Sequence, residues 1–404
     1  MNAVPNHASD RLSGLRDAVD ELLPALRAQA PAGRLARRLP RANVDALRAA
    51  GLVRVYNPRR FGGDELHMAD VLPLVARVAE ACPASAWVLA IYQIHNWVLA
   101  LFPETAQQEV FARNPDPLVC ASLNPAKNSV RRVDGGYHVE RARFTFCSGA
   151  AAREWGLFGA LVRDATGNVV DAGCLLIPGD AVAELDDWQV SGLQSTGSIS
   201  LLAENLFVPA HRFLSYADAT AYRTPGASLN PGALFRAAFV PMLVLNLAGP
   251  ALGAAEAAWQ AFVTHLRDKG AAAGAYPLPG LTRAEAPATH EVIANARLAI
   301  DTARLLLAEA GDCIRARAED GVPMTPLQSA SVNLQTSQAM RECLRAVQML
   351  FLQAGGAVLQ GEHPLQQAFQ DVSAINCHGF LAHEANLALY GALALGQPRP
   401  GAFL

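Results

Sequence analysis

Between residue 10 and about residue 118, apolar side chains recur at intervals of three and four. Leu12, Leu15, Val19, Leu22, Leu23 and Leu26 follow this spacing early, and Val71, Leu74, Val75 and Val78 later, as one buried face of a helix requires. Pro58 and Gly62-Gly63 interrupt the region, and Asn114-Pro115-Asp116-Pro117 ends it. The pattern predicts a helical domain over residues 1–118. From Leu118 the runs become short and extended, and Asp134-Gly135-Gly136 separates two of them as a hairpin turn does. Further strands are predicted over 155–162, 169–177 and 199–208, the first two joined by a turn at 164–168, which gives a β domain over 119–213. After a Pro/Gly-rich connector at 224–232, helical spacing resumes to about residue 395. This third domain, 214–404, contains two stretches, 287–318 and 326–354, with the length of bundle helices. Residues 270–287, with Pro277, Pro279 and Gly280, read as a surface loop.

Two apolar stretches raise the question of a membrane. Residues 237–258 carry Pro241, Asn246, Pro250 and Glu256, and residues 87–102 carry Gln93, His95 and Asn96, polar groups that lipid tolerates only at a cost. Both therefore predict buried core helices. The chain of 404 residues is 51% apolar, large enough for more than one core. Charged residues make up 17% of it with a formal net charge of -3, and the dispersed basic residues leave no footprint for nucleic acid or an anionic membrane. The partner expected is a small molecule. Seven scattered cysteines without a CxxC pair, and an N-terminus without a basic stretch followed by an apolar one, predict reduced thiols and a cytoplasmic protein.

Three segments carry a resemblance. Residues 188–198 (WQVSGLQSTGS), followed by 206–212 (LFVPAHR), look like the middle-domain segment of the acyl-CoA dehydrogenase superfamily, and Gln353-Ala354-Gly355-Gly356 resembles its glycine turn near the flavin. A narrower likeness, to the group D flavin monooxygenases, rests on His95-Asn96-Trp97, on residues 119–125 (VCASLNP), on Asp134-Gly135-Gly136-Tyr137, on residues 144–149 (FTFCSG), and on Gln370-Asp371 ahead of His378 in the last helix. The resemblance implies an α+β fold of the acyl-CoA dehydrogenase type, with an N-terminal helical domain, a middle β domain and a C-terminal four-helix bundle. It also implies the oxygenase half of a two-component monooxygenase. Such an enzyme takes reduced flavin (FMNH2 or FADH2) from a separate NAD(P)H:flavin reductase and uses O2, through a C4a-hydroperoxyflavin, to hydroxylate an aromatic or polycyclic substrate. A homotetramer is implied too, with the small residues Ala251, Gly253, Ala254 and Ala255 permitting close helix packing.

Two absences bear on this. Counting eight residues from Asp371 reaches Gly379, so the carboxylate base of the common dehydrogenases is missing there. No GxGxxG lies between a strand and a helix, so a nicotinamide has no evident home. An acyl-CoA dehydrogenase-like oxidase, an N- or S-oxygenase on the same fold, and a flavin-free scaffold remain as alternatives.

The candidate residues each have a plainer reading beside the functional one. His95 and His378 are expected to be catalytic, though either could be a packed histidine, and Ser148 is expected to hydrogen-bond the flavin N5 edge, though it could be a turn serine. Ser122, Asn124 and Trp97 are expected near the substrate, with Leu123-Asn124 departing from the family's usual text. Phe146, Cys147, Ser148, Thr196, Ser198, Gln353, Gly355 and Gly356 are expected at the flavin, and Phe146 is expected to exclude water. Arg236 and Arg267 are candidates for its phosphate. A metal role for His378 with His383 and Glu384 is disfavoured, because the spacing is not HExxH.

Overall fold

The computed structural model of the chain describes residues 7–269 and 282–397; most of the predicted loop, residues 270–281, lies outside them. The first segment folds into α1 (His7–Ala36), α2 (Arg41–Ala49), α3 (Met68–Ala79), α4 (Pro83–Leu99) and α5 (Glu104–Phe111). In α4 every residue from Ala84 to Leu99 is buried. Its polar side chains serve neighbouring backbone: Gln93 Nε2 donates to Leu52 O at 2.8 Å and Asn96 Nδ2 to Pro117 O at 3.1 Å. The polar spot thus fastens the connectors on either side of a core helix, satisfying carbonyls that burial would otherwise leave unpaired.

The middle segment is an eight-stranded mixed sheet of β1 (Val119–Ser122), β2 (Ser129–Val133), β3 (Gly136–Phe144), β4 (Trp155–Arg163), β5 (Val169–Pro178), β6 (Ala183–Leu185), β7 (Ser200–Pro209) and β8 (Phe213–Ser215). The order is β6-β7-β3-β2-β4-β5-β8, with β1 pairing on β4. The β2–β3 hairpin turns where the sequence placed it, at Gly135 with φ 74°. β1 and β2 both run parallel to β4 along one edge. Between them the chain passes Gly159 so closely that a Cβ there would lie 2.3 Å from Leu123 O, which explains a glycine inside a strand. Phe144 and Phe158 stack at 4.3 Å in the core on the sheet.

The chain then forms α6 (Tyr216–Thr220), α7 (Pro225–Leu229), α8 (Phe239–Leu245), α9 (Ala248–Lys269), α10 (Pro287–Asp320), α11 (Pro326–Ala354), α12 (Pro364–Asn376) and α13 (His383–Ala394). α11 is central, packing on α9, α10, α12 and α13, and Thr325 and Gln328 start it with a reciprocal capping box. The apolar stretch at 237–258 is two helices, broken at Asn246-Leu247, where Asn246 Nδ2 donates to Ala90 O at 2.8 Å. The Phe239–Arg267 stretch passes for a membrane span by length and composition, yet 94% of its apolar window is buried inside the protein.

The small residues of α9 require a correction. Ala251, Ala254 and Ala255 are buried within this one chain, and a Cβ on Gly253 would lie 1.9 Å from Ala76 O of α3. Gly253 serves the α3–α9 contact, and the four residues, spent on packing within one chain, supply no argument about packing between copies.

Candidate functional site

The junction of α4, the sheet and α12 is held by a chain of hydroxyls. Trp87 Nε1, from the first turns of α4, donates to Ser148 Oγ at 3.0 Å. Ser148 Oγ lies 2.7 Å from Ser198 Oγ, which lies 2.7 Å from Thr196 Oγ1, and Thr196 Oγ1 donates to Leu193 O at 2.9 Å. Ser148, Thr196 and Ser198 are all buried. Two tight turns bring them together. One follows β3, with Phe146 at φ 61° and Gly149 at φ 72°; the other precedes β7, with Leu193 at φ 52° and Gly197 at φ 55°. The turns are tied to each other through Cys147 N to Ile199 O at 3.0 Å and Gly149 N to Thr196 O at 2.9 Å. With the Thr196 proton spent on Leu193 O, the hydroxyl protons run one way, from Ser148 to Ser198 to Thr196, and the remaining lone pairs are suited to accept from a polar ring edge.

His378 reaches the same junction from the bundle side. Its ring lies 5.9 Å from that of Trp87 and 5.5 Å from that of Phe380. The sequence placed it in the last helix, but α12 ends at Asn376, and His378 instead caps a turn, its Nδ1 accepting from Phe380 N at 3.3 Å. Part of its surface reaches solvent, yet the protein around the ring pushes its pKa down to about 4. With Nδ1 used as an acceptor, the neutral tautomer carries its proton on Nε2. His95 is also held neutral, burial pushing it down to about 4, and its Nδ1 pairs with Val119 O at 3.0 Å. No hydrogen bond among the described residues joins His95 to the hydroxyl chain.

The other candidates are dispersed around the junction. Ser122 is half-buried at the end of β1 without a side-chain hydrogen bond among the described residues, and Asn124 is exposed, accepting from Ala126 N at 2.9 Å. Trp97 faces away into the core, its Nε1 donating to Leu234 O at 3.1 Å and its ring 6.0 Å from Phe239. Cys147 is buried with its Sγ on Phe144 O at 3.3 Å. Phe146 overturns an expectation: it is 69% exposed, its left-handed turn aiming the ring outward, edge-on to Trp188 at 6.2 Å. In the single chain it shields nothing; it presents an open aromatic face.

Arg236 is exposed and caps α10 through Ala318 O at 3.3 Å, and Arg267 is exposed near the end of α9. Gln353 donates to Thr289 Oγ1 at 3.3 Å, and α11 ends into Gly355, at φ 83°, and Gly356. Beside that turn sits an arginine the sequence reading missed. Arg283 NH1 donates to Ala354 O at 2.8 Å and lies 3.4 Å from where a Cβ on Gly355 would be; burial lowers its pKa, and no carboxylate pairs with it among the described residues. Its place between a Pro/Gly-rich segment and a helix gave no periodic signal. Trp87 was missed because an aromatic in an apolar helix reads as core.

These residues suit a flavin. The buried hydroxyls and the open face of Phe146 fit the polar edge and plane of an isoalloxazine, and Arg283 beside two exposed glycines fits a phosphate.

Comparison with known proteins agrees. Residues 245–383 match the family described as acyl-CoA dehydrogenase, C-terminal domain. The FADH(2)-dependent resorcinol hydroxylase, oxygenase component, of Rhizobium sp. (strain MTP-10005) is 33% identical over 91% of this chain and 90% of its own length. The flavin-dependent monooxygenase, oxygenase subunit HsaA, of Mycobacterium tuberculosis is 31% identical over 95% of both. The crystal structure of the HsaA monooxygenase from M. tuberculosis superposes with a TM-score of 0.90 at 29% identity, covering 97% of this chain and all of that one. XiaF from Streptomyces sp., in complex with FADH2 and glycerol, has a TM-score of 0.89 over 98% of this chain and 99% of its own; at 24% identity it shows the shared fold alone.

Proposed function

Because this chain belongs to the oxygenase components of the flavin-dependent monooxygenases, we propose that the hydroxyl chain from Trp87 to Thr196 lines the edge of its flavin site, and that His378 holds the oxygen of a phenolic substrate. The protein is a monooxygenase with the acyl-CoA dehydrogenase fold that uses reduced flavin and O2, and as an oxygenase component it works with a separate flavin reductase. The observation that carries the site assignment is the meeting, within one set of contacts around Trp87, of the Ser148–Ser198–Thr196 hydroxyls and the His378 ring.

Reduced flavin, when bound, delivers two electrons to O2, so that one oxygen atom enters the substrate ring and the other leaves as water. The residues of this chain position and exclude. Ser148 and Ser198 donate along the chain toward Thr196 and keep lone pairs that accept from a ring N–H. His378 is neutral at cellular pH, and its Nε2–H donates to the phenolic oxygen, stabilising negative charge there as the ring becomes nucleophilic. His95 and Ser122, tied to or carried on β1, are read as the opposite wall of the substrate site, with Asn124 at its rim. Arg283, better placed than Arg236 or Arg267, would hold a flavin phosphate beside Gly355 and Gly356. The flavin is read as FADH2 and the substrate as a phenol of the resorcinol class, both from the Rhizobium relative's name. A cytoplasmic homotetramer is the assembly we assign. Its support is Leu298 and Leu305, 62% and 72% exposed and seven residues apart on one face of α10.

The test is His378→Ala with resorcinol as the probe. Product formation should fall about 10²–10³-fold, the usual cost of removing one donor to a developing oxyanion, while reduced FAD binds as before and the consumed oxygen appears as hydrogen peroxide. Unchanged coupling, or loss of reduced-flavin binding, would refute the role assigned to His378.

A further inference from the structure

The hydroxyl chain depends on a loop, residues 188–198, that lacks a strand of its own, and the loop meets α12 at two adjacent backbone positions. At the first, Gly192 lies so close to the helix that a Cβ would fall 2.1 Å from Gln370 O and 2.9 Å from Ala374 Cβ. At the second, Leu193 N donates to Asp371 Oδ1 at 2.6 Å. Leu193 is itself in the left-handed region, φ 52° and ψ 33°, which a leucine occupies only at a cost when its surroundings fix it. Its carbonyl then receives both Thr196 N, at 3.0 Å, and Thr196 Oγ1, at 2.9 Å, and Thr196 Oγ1 orients Ser198 and Ser148. One residue, Leu193, separates the carboxylate from the first hydroxyl.

We propose that Asp371 is a positioning residue: by accepting from Leu193 N–H it latches the 188–198 loop to α12 in the conformation that aims the Thr196–Ser198–Ser148 hydroxyls. The other contacts of the loop do not replace it. On the far side α1 packs Gly33 against Ser195, and Arg37 NH1 donates to Trp188 O at 3.1 Å; at the base Ser200 N donates to Asp187 Oδ1 at 2.9 Å. These fix where the loop sits, while among the described residues only Asp371 hydrogen-bonds the N–H of Leu193, whose carbonyl orients Thr196. A latch of this kind also joins the sheet to the bundle, so that His378, seven residues beyond Asp371 in the sequence, and the hydroxyl chain keep a common frame. Asp371 is half-buried, and a hydrogen bond withdrawn from water is electrostatically stronger than an exposed one, so a single acceptor suffices.

The inference rests on reading the hydroxyl chain as the flavin edge, and the experiment separates the two. Reduced FAD would be titrated anaerobically into the wild type, Ser198→Ala, Asp371→Leu and Asp371→Asn, with hydrogen exchange of the 188–198 segment followed in parallel. Leucine removes the acceptor while keeping the branching at Cγ, whereas asparagine keeps an acceptor oxygen. The expected result is about tenfold weaker binding for Asp371→Leu, faster exchange confined to residues 188–198, and affinity restored to within about twofold by Asp371→Asn. Ser198→Ala should weaken binding with the loop still protected. If Ser198→Ala binds like the wild type, the flavin-edge reading fails and the latch with it. If Ser198→Ala is weakened but Asp371→Leu is not, the latch alone is wrong, and equal loss in the Leu and Asn variants also overturns it. Should Asp371→Leu not fold, Asp371→Ala takes its place under the same criteria.

Discussion

At the residue scale, the charged groups inside this protein work against their own solvation. Asp371 is pushed up to about 6 from 3.8, first by burial, with the Leu193 N–H and the Arg34 charge opposing. Arg34 is itself engaged by Glu362 at 2.7 Å, so its help is diluted. A carboxyl whose folded pKa exceeds its unfolded value adds stability fully below the unfolded pKa, and that stability is lost as pH rises through the folded one. Between pH 4 and pH 8 the wild type should therefore lose up to about 3 kcal/mol that Asp371→Asn, which does not titrate, keeps. Denaturant unfolding of both proteins across that range should show the difference in favour of Asn growing with pH; a constant difference would mean the carboxyl titrates normally. Position and role were unequally legible here. The sequence marked His378 and Ser148 by likeness alone, and it quoted Asp371 as a landmark without a task, because its partner, Leu193, is a backbone amide 178 residues away.

At the scale of elements, close approach sets the sequence more than propensity does. The predicted bundle stretches at 287–318 and 326–354 became α10 and α11 with ends shifted by two residues or fewer, since Pro287, Pro326 and Gly355 punctuate them. The hairpin at Asp134-Gly135-Gly136 and the long strands were legible for the same reason. The break between α8 and α9 was not, because Asn246 is spent on Ala90 O across the core, nor was the parallel pairing of β1 and β2 on β4, which has no local signature. Gly192 is the sharpest case. Its replacement by alanine should force the loop off α12 and cost about 1–3 kcal/mol as overpacking does, while Gly14→Ala on α1, with nothing within 4 Å of the new methyl, should stabilise by about 0.5–1 kcal/mol. Thermal melts of the two variants check this, and equal effects would show that the 192–370 approach is not tight in solution.

At the scale of the whole molecule, the three segments converge on one junction: α4 supplies Trp87, the turns of the sheet supply Ser148, Thr196 and Ser198, and the bundle supplies Asp371 and His378. The order helical, β, helical could be read from changing periodicity; the convergence could not, since it needs contacts between residues more than 200 positions apart. A site shared among all three segments suits an enzyme that receives its reductant ready-made and keeps it from water until substrate reacts. The most direct measurement is the affinity of the isolated protein for FAD in its two redox forms, by anaerobic and aerobic titration. An oxygenase component supplied by a separate reductase should bind the reduced form at least about tenfold more tightly, a difference of about 1.4 kcal/mol. Equal affinity for both forms, or tighter binding of oxidised FAD, would contradict the account.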